Sequence, residues 1–299
     1  MDHDQPGFRS GFVSVIGRPN VGKSTLLNRL MGEKLLIVSD KPQTTRNRIR
    51  CILTDRDFQI VFMDTPGIHK PRHRLGQYMV KTALRTLEEV DVIVLVADAE
   101  KPFGSGDEFV LKELSHVKTP VVLVLNKIDL VDSKTVQELE DLYRRKFSFT
   151  SVLAVSALKG EHVLSLTKKL IPLLPEGPQY YPDDMIIDHP ERFVTAELIR
   201  EKVIQLTKEE VPHAVAVEIE EMKEREENIV YIRALIHVER ESQKGIVVGA
   251  GGKRLKEIGT LARQDIENLL GSKVYLDLWV HVQKDWRKKD RKLKQFGYE

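Results

Sequence analysis

The chain has 299 residues, with 47 basic against 45 acidic side chains and a formal net charge of +2. At roughly 150 residues per domain this length predicts two domains with a core each, and the near-balanced charge singles out no polyanionic partner for the whole molecule, so charge has to be read by region. The single cysteine, Cys51, excludes an internal disulfide framework and a multi-cysteine zinc site and fits a reducing, cytoplasmic setting; the acidic start MDHDQPGF departs from a basic signal peptide, and no apolar run approaches the 18 or so residues of a membrane span.

Residues 12–171 alternate short, nearly continuous apolar runs with stretches of helical period. Phe12–Ile16, Ile60–Met63, Val92–Ala97, Val121–Leu125 and Val152–Val155 read as strands buried on both faces. Ser24–Met31, stopped by Gly32, and Val163–Leu170 read as amphipathic helices. The pattern predicts an α/β domain over 8–171 with a mostly parallel sheet. Ile49–Leu53 and Phe58–Phe62, joined by a polar turn at Asp55 and Arg56, predict an antiparallel hairpin within it. Pro172, Pro175, Pro178, Pro182 and Pro190 leave little backbone able to continue a helix or a ladder, which places a linker at 172–190.

Beyond the linker, Glu191–Lys208 reads as a helix, and Ala214–Met222 and Ile229–Val238 alternate as strands. The acidic segment Glu218–Glu227 falls at their junction and is read as a solvated turn. The apolar patch Ile246–Val248 leads into Gly249-Ala250-Gly251-Gly252, then a helix capped by Gly271 and a last strand ending at Val282. The order is αββααβ, an α+β domain over 191–283. A basic tail, 284–299, is read as a solvated helix or as a surface for RNA phosphate or an anionic membrane. Tyr275 and Trp279 share one face of the last strand, where they either stack bases or pack under a helix. The nine histidines show no ligand spacing and are read as surface residues.

The chemistry is carried by four motifs at strand ends. Gly17-Arg18-Pro19-Asn20-Val21-Gly22-Lys23-Ser24 fits GxxxxGK[ST] between a strand and a helix, the P-loop arrangement whose backbone N–H groups curl around phosphate oxygens. Lys23 supplies charge to the β- and γ-phosphates, the Ser24 hydroxyl suits Mg²⁺, and Thr25 continues the nucleotide-binding run. Asp64-Thr65-Pro66-Gly67 puts a carboxylate at the carboxyl edge of the sheet, where Asp64 holds Mg²⁺ through a water and the Gly67 N–H turns toward the γ-phosphate. Asn126, Lys127 and Asp129 read the base: the Asp129 carboxylate accepts from guanine N1–H and the N2 amine, whereas adenine offers an acceptor at N1. Ser156-Ala157-Leu158 is expected to present the Ala157 N–H to guanine O6. Ile68, where Ras-like proteins hold a water-orienting glutamine, can neither donate nor accept, so slow intrinsic turnover is expected.

In the second domain, Gly249, Ala250, Gly251 and Gly252 between two helical segments resemble the GxxG loop of a KH domain. Lys253, Arg254 and Lys256 add positive potential at the start of the next helix, whose N-terminus itself favours anions, and this group is the candidate RNA-binding site.

With GRPNVGKSTLLN, QTTR at 43–46, DTPGIHKP, NKID, SALKG and the KH-like half, the chain resembles the Era family of bacterial GTPases over nearly its full length. The resemblance implies a threonine of the QTTR segment that completes the Mg²⁺ shell, Thr44 or Thr45, with Thr45 favoured; Lys23, Thr45 and Gly67 are then the residues that carry hydrolysis. It also implies K⁺ at Asn20, GTP and GDP as ligands, and 16S rRNA near its 3′ end in the small ribosomal subunit as partner. The expected role is small-subunit maturation, as a monomer in the cytoplasm, with a peripheral place on the inner face of the cell membrane open as an addition. The alternative is a GTP-gated switch whose second domain binds a protein or membrane surface.

Overall fold

The computed structural model describes residues 7–41, 44–68, 74–225 and 228–298. By backbone proximity the chain forms two units: one runs to Asp188, and the other comprises His189–Glu299 together with Ile37–Thr44 and His73–Leu75.

In the first unit, β1 (Arg9–Ile16), α1 (Lys23–Met31), β2 (Ile49–Asp55), β3 (Phe58–Asp64), α2 (Arg74–Thr86), β4 (Val92–Asp98), α3 (Ser105–Leu114), β5 (Val121–Asn126), α4 (Ser133–Lys146), β6 (Ser151–Val155) and α5 (Val163–Leu170) follow in chain order. The strands make one six-stranded sheet in the order β2-β3-β1-β4-β5-β6. Every pairing is parallel except β2 with β3, the expected hairpin. β3, β4 and β5 are buried along their whole length, as strands covered on both faces must be, which is why they read as nearly continuous apolar runs. One core cluster joins Ile16, Ile93, Leu95 and Leu123 of the sheet to Leu114 of α3 and Tyr143 of α4. This packing holds the carboxyl ends of β1, β3, β5 and β6 together, and all four nucleotide motifs sit there, where parallel α/β sheets bind ligands.

The proline-rich stretch departs from the expected linker, because as far as Asp188 it is folded onto the first unit. Ser10 N–H donates to Pro175 O (3.2 Å) and Gly177 N–H to Phe8 O (3.2 Å). Gln59, buried in β3, donates to Tyr181 O (2.8 Å) and accepts from Tyr180 N–H (2.8 Å). Ile52 N–H donates to Ile186 O (2.9 Å) and Asp188 N–H to Arg50 O (3.0 Å). The prolines block a regular ladder, and irregular single bonds tie the strap down instead.

The second unit contains α6 (Glu191–Leu206), α7 (Val211–Ala214), β7 (Ala216–Arg225), β8 (Ile229–Val238), α8 (Glu241–Val248), α9 (Lys253–Leu270), β9 (Lys273–Val282) and α10 (Asp290–Gln295). Its sheet runs β7-β8-β9, with β7 antiparallel and β9 parallel to β8. The αββααβ order is the expected one, with the short α7 added; Pro212 lies in its first turn, where a missing N–H costs nothing.

Three expectations need correction in this unit. Most of the acidic segment Glu218–Glu227 is strand, since β7 runs to Arg225 with a bulge between Ile219 and Glu221 that breaks the alternation. The basic tail is anchored rather than solvated. Trp286 is fully buried, its indole N–H donates to Ala214 O (2.8 Å), and Phe296 and Tyr298 pack on its ring. His237 is not a surface residue: it is buried on β8, its Nε2 lies 3.0 Å from Glu218 Oε2, and burial lowers its pKa against the pull of that carboxylate.

Candidate nucleotide-binding site

The P-loop turns from β1 into α1 around the glycines. Gly22 adopts φ 96°, and a Cβ there would stand 2.2 Å from Asn126 Nδ2, so only glycine lets the loop close against the end of β5. Lys23 is buried with its ammonium on the carbonyls of Gly17 (3.4 Å) and Arg18 (3.2 Å). Burial lowers its pKa to about 8, opposed by the charge of Asp64. The side chain is desolvated and held by weak acceptors, which is how a cation is kept ready for phosphate. Ser24 and Thr25 follow on α1.

Three of the predicted ligands converge. Ser24 Oγ donates to Asp64 Oδ2 (2.8 Å), Thr45 Oγ1 donates to the same oxygen (3.2 Å), and the two hydroxyls are 3.1 Å apart. Asp64 Oδ1 is buried with no hydrogen-bond partner, and burial pushes the carboxyl up from its ordinary range against the pull of Lys23. An all-oxygen set with one under-satisfied buried carboxylate oxygen fits Mg²⁺, a hard cation that takes hydroxyls, a carboxylate and waters. Thr44 points elsewhere: its hydroxyl donates to Lys41 O (2.6 Å). Gln43 of the same motif, and His69 to Pro71 after Ile68, lie outside the described residues.

Gly67 packs so closely on the P-loop that a Cβ would stand 2.7 Å from Pro19 N. Ile68 N–H donates to Gly17 O (3.0 Å), and its side chain is buried in the core cluster, so it has no part in orienting water. Arg18 and Asn20 complete the loop. The Arg18 guanidinium pairs with Asp107 (2.5 Å), whose other oxygen accepts from the Tyr143 hydroxyl (2.9 Å). Arg18 therefore ties the loop to α3 and leaves phosphate contacts to its backbone. Asn20 holds a left-handed backbone at φ 66°.

At the base-binding end the motif residues are tied to one another. The Ala157 N–H, expected to face guanine O6, donates to Asn126 Oδ1 (2.9 Å), because that buried oxygen needs a donor. Asn126 Nδ2 donates in turn to Val21 O (2.8 Å), so this side chain stitches the P-loop to the Ser156–Leu158 turn. Lys127, at φ 70°, pairs with the buried Asp98 (2.6 Å). Asp129 sits half-buried on a 3₁₀ turn, and a hydrogen bond from the Ser156 hydroxyl holds its carboxyl below the ordinary carboxylate range. Asn28, which the sequence reading missed, grips the loop after α1: its Oδ1 accepts from Leu35 (3.1 Å) and Leu36 (2.8 Å) N–H, and its Nδ2 donates to Leu36 O (2.7 Å). Only its place in STLLN hinted at it.

In the second unit, Gly251 and Gly252 are left-handed, at φ 60° and 78°, with open space where a side chain would go. A groove of about 440 Å³ runs from Gly252 between Lys256, Gly259 and Arg263 of α9 and Tyr275, Leu276 and Leu278 of the outer strand β9. Tyr275 and Trp279 are both exposed, which removes the alternative of packing under a helix. Lys253 opens α9, and Arg254 turns back to donate to Ile246 O (2.6 Å).

Comparison with known proteins agrees with both halves. Residues 12–127 match the model of the 50S ribosome-binding GTPase family and residues 210–287 that of the KH domain. The chain is 53% identical over 293 residues to GTPase Era of Alkaliphilus oremlandii (strain OhILAs), covering 98% of this chain and 99% of that one. The chain belongs to the Era GTPase family. Two crystal structures from this family superpose on it closely, each 43% identical and covering 97% of this chain and 99% of the other. Era in complex with MgGDPNP and nucleotides 1506–1542 of 16S ribosomal RNA gives a TM-score of 0.95, and a point variant of Aquifex aeolicus Era bound to GDP·AlF₄⁻ gives 0.94. In Era terms, the fold is a P-loop GTPase domain with a mostly parallel sheet followed by a KH domain. Among the described residues no helix is long and apolar enough to cross a membrane.

Proposed function

We propose that the protein binds GTP and GDP in the first unit, hydrolyses GTP there with Mg²⁺, and binds the 3′ region of 16S rRNA through its KH domain during small-subunit maturation. The observation that carries the reading is the meeting of Ser24, Thr45 and Asp64 beside the desolvated Lys23 at the carboxyl edge of the sheet. Mg²⁺, when bound by these three residues, neutralises charge on the phosphate oxygens. Lys23 adds a second positive charge, and the backbone of residues 17–24 wraps the phosphates. Asp129, kept ionised and aimed by Ser156, accepts from the guanine N1–H and N2 amine. The O6 donor falls to the Leu158 N–H, since the Ala157 N–H is engaged. Hydrolysis relies on positioning by backbone, metal and Lys23, with Thr45 and Gly67 at the γ-phosphate side, so intrinsic turnover is slow.

Asn20, left-handed in the P-loop, is the residue we assign to K⁺. For RNA, the glycine loop gives the sugar-phosphate chain a close approach, Lys253 and Lys256 supply charge at the N-terminus of α9, and the groove beside β9 takes bases. The test is to titrate the full chain and its Gly251→Asp, Gly252→Asp double variant with fluorescent GDP and with the 16S fragment 1506–1542. GDP affinity should be unchanged and RNA affinity should fall at least about tenfold, with parental binding falling steeply as salt rises. Retained RNA affinity would remove the groove from the reading, and binding to anionic vesicles in place of RNA would favour the membrane alternative. Parental GTP turnover should be higher in potassium than in sodium, and equal rates would reject the assignment of Asn20.

A further inference from the structure

We propose that Arg29 is a positioning residue for guanine recognition, a clamp from α1 onto the Ser156–Gly160 turn; this rests on the guanine-nucleotide reading above. Arg29 lies in the last turn of α1, the helix that begins at the P-loop. Its Nε donates to Ala157 O (3.3 Å) and its Nη2 to Leu158 O (2.5 Å). A planar guanidinium holding two successive carbonyls fixes two successive peptide planes at once, which a single-point donor cannot do.

The consequence follows from trans peptide geometry. In the Ala157–Leu158 peptide the N–H of Leu158 points opposite to the carbonyl of Ala157, so gripping that carbonyl from one side aims the Leu158 N–H to the other. In the next peptide the Lys159 N–H donates to Ser156 Oγ (3.2 Å), and the same hydroxyl bonds Asp129. The clamp thus sets the donor for guanine O6 and steadies the serine that aims Asp129. The stem of Arg29 also lies over Gly160, where φ is +83° and a Cβ would stand 3.4 Å from Arg29 Cδ. The turn is closed beneath it by Gly160 N–H to Ser156 O (2.8 Å). Arg29 itself is exposed and belongs to no apolar cluster, so its removal leaves the core intact.

The experiment measures affinity for GDP and for 2-aminopurine riboside diphosphate, which keeps the N2 amine but has neither the oxygen at C6 nor the proton on N1. Parent, Arg29→Ala and Arg29→Lys full-length proteins are compared, with a thermal melt of each. Arg29→Ala should lose about tenfold in GDP affinity and a clearly smaller factor for the 2-aminopurine nucleotide, which meets the clamp only through Asp129 and its N2 amine, with Arg29→Lys in between and all three melting alike. Equal losses for the two nucleotides, or no loss for GDP, would overturn the clamp. A parent that fails to prefer GDP over both the analogue and ADP would instead overturn the guanine reading on which it rests.

Discussion

Asn126→Ala tests the stitch between the two ends of the nucleotide site. Asn126 is 2% exposed, and its amide makes one bond to Val21 O (2.8 Å) and accepts one from Ala157 N–H (2.9 Å). Truncation leaves both a buried carbonyl and a buried N–H without a partner. At about 1–3 kcal/mol for each orphaned group the total is about 2–6 kcal/mol. Since about 1.4 kcal/mol is a factor of ten in an equilibrium constant, a cost borne entirely by ligand binding weakens GDP between about 30-fold and about 10⁴-fold. The part that relaxes in the free protein appears instead as a lower melting temperature. The assay is therefore paired: dissociation and equilibrium binding of a fluorescent GDP, and thermal melts of the nucleotide-free protein. Asn126→Asp supplies an internal scale, because it keeps the acceptor for Ala157 and loses the donor to Val21. GDP affinity within about threefold of the parent, together with a parental melt, would refute the argument that this side chain holds the loops in place.

Two further outcomes are expected from the corrected parts of the molecule. Ser156→Ala removes the hydrogen bond that keeps the Asp129 carboxyl low. Guanine affinity depends on the ionised form, so it is present above the Asp129 pKa and lost as pH falls through it; in the variant this loss should begin at higher pH, and superimposable affinity profiles for parent and variant would count against the role of Ser156. Trp286→Ala should destabilise the second unit by about 3–5 kcal/mol, the usual cost of deleting a buried large aromatic, since it also orphans Ala214 O; a calorimetric melt with no lowered transition would show that the C-terminal segment is dispensable.

The parts that were legible in the sequence are those whose signal is local. GRPNVGKS, DTPG and NKID each follow a largely apolar strand, so periodicity and motif together place Lys23, Asp64 and Asp129 at one sheet edge before any coordinate is known. The choice of Thr45 over Thr44 turns on which side chain reaches Asp64, a matter of loop path that neighbouring identical residues cannot encode. The ties of Asn126 to Val21 and of Arg29 to Ala157 span more than a hundred residues of chain, and no window of sequence contains both partners. In the C-terminal segment the basic residues outnumber the anchors and mask them in the sequence; Trp286, Leu293 and Tyr298 do the packing while Lys288, Lys289 and Lys294 stay exposed. His237 was hidden for a different reason. Its burial depends on Phe296 (4.6 Å between ring centres) arriving from the far end of the chain.

The proline-rich strap solves a problem that the first unit's sheet creates for itself. β2 is the outermost strand on its side, and an outermost strand offers a row of open backbone donors and acceptors to any passing chain. Ile186 and Asp188 occupy that row at Ile52 and Arg50. The pairing stays short, because Pro182 and Pro190 flank it and each removes an N–H that a longer strand would need. A cut within the strap should therefore show itself first as association between molecules, before any loss of nucleotide binding.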